Sequence, residues 1–108
     1  MNFDINEVIA NMSGAVQETV SENWMDAKSA TTQFLTNRKE RLALIAELRI
    51  TGDLPQEKFE SRLNDEKLIL EAELHAVAVI TKAIAQKAAN AAIEVLTNAV
   101  STALGGIL

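Results

Sequence analysis

The chain contains no cysteine, one proline and one histidine in 108 residues. Without cysteine there is neither a disulfide framework nor a thiolate site, and a single histidine cannot build a His-rich metal centre. Aromatic residues are scarce too: Phe3, Trp24, Phe34 and Phe59 are the full set. The 48% hydrophobic content is therefore aliphatic and rich in alanine, the best helix former, so the expected class is all-α. Ten basic residues stand against fifteen acidic ones, a formal charge of −5. That balance repels phosphate backbones, and no nucleic-acid partner is expected. The opening "MNFDINEV" lacks the basic stretch and apolar run of a secretory signal, which points to a cytoplasmic protein.

The strongest punctuation is "ITGDLPQEKF". Gly52 suits the left-handed position that ends a helix, Asp53 can cap the next helix, Pro55 fits its first turn, and Gln56 completes a capping-box spacing. Asp4 with Glu7 reads as a helix start, and Gly105 with Gly106 as a stop. Gly14 and the stretch Ser29 to Gln33 are weak points without loop composition. One domain over 1–108 follows, with a helix over about 4–50, a turn at 51–54 and a helix over about 55–104. Helices of that length would each run ~70 Å at 1.5 Å per residue, too long for a globule of this mass. The reading is a long antiparallel two-helix hairpin that completes a helical bundle by oligomerisation. Its rival is a four-helix bundle with breaks near Ser29 and Asn90.

A hairpin turning at Leu54–Pro55 sets residues whose numbers sum to about 109 side by side. Glu47 then meets Arg62, Arg49 meets Glu60, Arg38 meets Glu71 and Glu22 meets Lys87, all of opposite sign. On the second helix, a seam through Leu70, Leu74, Ala88, Ala92, Val95 and Ala99 faces the first helix. Ile93, Leu96, Val100, Leu104 and Ile107 form another stripe, roughly 130° away. A lone hairpin cannot cover both stripes. Residues 38–73 hold sixteen of the twenty-five charged side chains, which makes the tip solvated and the terminal arms the expected place of association.

The tip "LIAELRITGDLPQEKFESRL" resembles the SHOCT family of short helical hairpins over residues 44–63, through Leu48, Gly52, Leu54, Pro55, Phe59 and Arg62. Lys58 stands where that family usually has an acid. The resemblance covers about a fifth of the chain. It implies oligomerisation or scaffolding, and no catalysis.

Four further patterns bear on chemistry or environment. In "EAELHAV", Glu71 and His75 lie one turn apart, with Arg38 and Glu40 across the hairpin, but ferritin-like sites use Glu-x-x-His and Ala72 occupies the place of that Glu. His75 is read as a surface residue paired to a helical neighbour. Glu18, Glu22 and Asp26 form an i, i+4, i+8 acidic row, read as a solvated face bridged to Lys87 rather than a cation site. Trp24 is read as a core-edge residue. Residues 88–108 approach the length of a membrane span, yet Glu94 at about 2.5–3.5 kcal/mol, with Asn90 and Asn98, outweighs what alanine contributes.

The sequence thus points to a non-enzymatic assembly module with no cofactor, metal or catalytic residue. It self-associates through its terminal arms, with Ile93, Leu96, Val100, Leu104 and Ile107 as the interface. The partner is a second copy or another protein. The alternatives are a membrane-active or pore-forming amphipathic hairpin and, more weakly, a small ferritin-like carboxylate metal protein.

Overall fold

Asp4 starts the first helix as its capping carboxylate, with Oδ1 accepting the Asn6 amide at 2.9 Å. The computed structural model describes residues 3–105. Four α-helices follow one another: α1 (Ile5–Val20), α2 (Trp24–Ile50), α3 (Gln56–His75) and α4 (Lys82–Ala103), with a single 3-10 turn, Ser21–Asn23, between the first two. No strand occurs among the described residues. The all-α class therefore holds.

The long hairpin does not. Each of its helices is broken once, and the molecule measures 40 × 23 × 23 Å, with a radius of gyration of 13.6 Å. The first break is at Ser21, the only described non-glycine residue with positive φ (52°, ψ −115°). The second covers Ala76 to Ile80, where tightened turns run from Val77 to the Leu74 carbonyl and from Ile80 to the Val77 carbonyl. Thr81 then restarts the helix, its hydroxyl accepting the Ile84 amide at 3.2 Å. β-branched side chains at Val77, Val79, Ile80 and Thr81 weaken the helix there, and Ile80 turns inward to 3% exposure. Neither break falls at Ser29 or Asn90. Gly14 lies within α1, and Thr31 is buried within α2 with its hydroxyl bonded back to the Ala27 carbonyl.

The tip turn has its expected glycine, Gly52 at φ 88°. Its capping differs. Pro55 occupies the cap position of α3, the Asp53 carboxylate accepts from the Thr51 hydroxyl at 2.7 Å, and Gln56 Oε1 accepts from Arg49 Nε at 2.9 Å. The Leu54 amide closes the turn on the Leu48 carbonyl, and the Leu54 side chain is buried.

The helices form an up-down-up-down ring. Gln56 and Glu60 at the start of α3 lie beside Thr97 near the end of α4, and Phe3, Asp4 and Glu7 at the start of the chain lie beside Asn98 and Thr102. Each helix packs on its neighbours in sequence, and α4 closes the ring on α1; the backbones of α2 and α4 approach across the diagonal, whereas those of α1 and α3 stay farther apart. Phe34, Met12, Leu42, Leu70, Leu74 and Leu96 fill the middle. Ala85, Ala88, Ala89 and Ala92, all fully buried, let α4 sit close to the others. A four-helix core is thus completed within one chain.

Candidate functional site

The core-facing positions of α3 run Phe59, Leu63, Glu66, Leu70 and Leu74, in steps of three and four. Glu66 thus carries a charge into the core, where it is 2% exposed. Arg38 occupies the facing position on α2, between Leu35 and Leu42, and clamps the carboxylate with two parallel hydrogen bonds: Nε to Oε1 and, at 2.7 Å, Nη2 to Oε2. Arg41 approaches the same carboxylate, with Nε 3.5 Å from Oε2, while staying largely in solvent. The hydrogen bond to Glu66, reinforced by the fields of Glu66 and Glu73, outweighs partial burial and holds the Arg38 guanidinium above its usual pKa range. Arg38 therefore stays charged at any pH short of strong alkali.

A cleft of about 280 Å³ opens over this pair, between α2 and α3. Ile45 and Glu66 form its floor, and Arg41, Lys58, Ser61, Arg62 and Asp65 its walls. On the opposite half of the ring, a shallower groove of about 820 Å³ follows α1, lined by Ala10, Asn11, Gly14, Ala15, Glu18 and Ser21, with Val95 of α4.

The residues singled out from sequence fall elsewhere. Ile93, Leu96 and Val100 are buried in the chain's own core at 8%, 0% and 2% exposure, which corrects their reading as an exposed interface. Leu104 is half-buried, and Ile107 lies outside the described residues. Two stripes exist on α4 because it has two main partners: Val95 and Ala99 lie beside α1, whereas Ile93 and Thr97 lie beside α3. The pairs Glu47–Arg62, Arg49–Glu60, Arg38–Glu71 and Glu22–Lys87 do not form. Among the described residues the only salt bridges are those of Arg38 and Arg41 to Glu66. The break at Ser21 places Glu22 in the 3-10 turn, so Glu18, Glu22 and Asp26 no longer share one helical face. His75 is exposed at the end of α3, and Trp24 is partly buried against the core. No group of three or more His, Asp or Glu side chains among the described residues is placed to hold a metal. Nor is any described helix long and apolar enough to cross a membrane.

Glu66 is the residue the sequence reading missed. The signal was present, since an acid at a core phase of one helix and an arginine at a core phase of its neighbour mark a buried ion pair. Compared with known proteins, the chain matches no protein-family model, no curated protein and no solved structure.

Proposed function

We propose that the chain is a non-enzymatic interaction module that self-associates through its terminal arms, α1 and α4. The groove along α1 is the observation that carries this reading. Its small side chains admit a helix at close range, as a second copy related by a twofold axis would require. The two arms carry only five charged side chains within their helices: Glu7, Glu18, Lys82, Lys87 and Glu94. Little charge would therefore have to be desolvated on docking. Glu18 and Lys87 are both exposed, without a salt bridge among the described residues, and offer a complementary pair across such an axis. The SHOCT-like tip supports the same class of function, and a cytoplasmic setting fits it.

The test is the mass in solution. A Cβ added at Gly14 meets nothing within 4 Å, so Gly14→Arg obstructs the groove without touching the core. The expected result is a dimer for the parent chain and a folded monomer for Gly14→Arg by light scattering. A parent chain that stays monomeric up to about 1 mM, weaker than about 4 kcal/mol of association, overturns the reading. So does a variant that keeps the parent mass.

A further inference from the structure

We infer that the cleft between α2 and α3 binds a phosphate monoester, held by Arg41, Lys58 and Arg62 together with the Ser61 hydroxyl. The first observation is a local rule broken. Lys58 and Arg62 are like charges at i, i+4 on α3, a spacing that destabilises a helix, and Arg41 faces them across the cleft as a third cation. A chain of net charge −5 has acids to spare, yet the single acid on these walls is Asp65.

The second observation is what the floor does. Glu66 does not neutralise the cluster, because its single negative charge is already shared between the Arg38 fork and the Arg41 ion pair. Arg41 is left at 3.5 Å, beyond hydrogen-bond length, and neither Lys58 nor Arg62 has a salt-bridge partner among the described residues. The clamp also fixes the floor, because both of its helices are tied together at that level. Three cations with free N–H groups, a hydroxyl donor and a concave wall answer the needs of a compact polyvalent anion. Guanidinium groups match phosphate oxygens two at a time. The cleft spans Lys58 to Glu66, ~12 Å along α3, which suits a small phosphorylated molecule or a lipid headgroup and is too short for a duplex backbone. This assignment lies on the opposite half of the ring from the association groove and does not depend on it.

The experiment is NMR titration of the full chain, following the arginine Nε–Hε signals at constant ionic strength. Two probes are used: glycerol 3-phosphate and vesicles containing phosphatidate. The expected result is a saturable shift of the Arg41 and Arg62 signals, with Arg49 as an unmoved internal control. Lys58→Gln and Arg62→Gln should each weaken binding about tenfold, the scale of one charge-assisted hydrogen bond, with helicity unchanged. Asp65→Asn should strengthen it, which separates a binding role from a structural one. Saturation by glycerol 3-phosphate assigns a soluble ligand; response to the vesicles alone assigns a lipid headgroup; both keep the phosphate monoester. Shifts that rise linearly with added phosphate, appear equally at Arg49, or are matched by chloride overturn the proposal. Tighter binding of a polyglutamate peptide than of glycerol 3-phosphate overturns it as well.

Discussion

The α1–α4 half and the α2–α3 half of the ring are built on different physics. Five charged side chains occur in α1 and α4 together, whereas α2 and α3 carry seventeen. The first half packs through small and aliphatic residues, with a row of fully buried alanines on α4. The second places an ion pair in its core seam and surrounds it with charge. Both halves share one hydrophobic core, so the difference lies in how each would respond to damage. Apolar packing degrades by degrees as atoms are removed, whereas a buried charge depends on its partner entirely.

The largest effect is expected in the apolar half. Leu96→Glu puts an unpaired charge at a fully buried position, a desolvation cost of at least about 5 kcal/mol, comparable to the whole stability of a small domain. Loss of the helical circular dichroism signal at 25 °C, at every protein concentration, is the expected outcome. A folded monomer instead would mean that Leu96 faces another molecule, and the comparison of the halves would fail. Arg38→Ala comes next. It strands the Glu66 carboxylate in the core at a cost of about 3 kcal/mol, the lower end for a broken buried pair because Arg38 is about a quarter exposed. Replacing both partners, as Arg38→Met with Glu66→Leu, should recover most of that loss in urea unfolding. Failure to recover it would make the pair an integral part of the packing rather than a replaceable one. The smallest effect sits at the joint between α1 and α2. Ser21→Gly relieves a positive φ costing about 1–3 kcal/mol, offset by the greater freedom of glycine in the unfolded chain, for a net gain of about 1 kcal/mol. A lower unfolding midpoint would show that Ser21 makes a contribution beyond its backbone angle.

These contrasts bear on what could be read in advance. The α-class, the Asp4 cap and the Gly52 turn are local matters, decided by propensity and backbone angle within a few residues, and they are plain in the sequence. The breaks are not local. Gly14 reads as a weak point and stays helical, while Ser21 takes a conformation that serine rarely adopts, because the packing of α1 on α2 and α4 compels it. The Val77 to Thr81 stretch did carry a signal, β-branched residues followed by a capping threonine, but the continuous apolar phase running through it masks the interruption. The breaks absent from the two-helix reading have a wider effect. With two long helices, only one apolar stripe of α4 has a partner and the other is left over for assembly; with four, Ile93, Leu96 and Val100 of that second stripe are buried within the chain. The charge pairs failed for a related reason, since surface ion pairs at about 0–1 kcal/mol are too weak to fix a register. The Arg38–Glu66 pair lay in the heptad phases, yet it is visible only once acids at core positions are taken as seriously as leucines.

The buried alanines of α4 have a consequence for entropy. Alanine has no side-chain rotamers, so Ala85, Ala88, Ala89 and Ala92 lose no rotamer freedom on folding, whereas a buried leucine or isoleucine gives up about 0.5–1 kcal/mol. Along that face the cost of order is confined to the backbone, and nothing can swing aside to absorb a misfit. A methylene added there has to be absorbed by the side chains facing it or by a shift of the backbone.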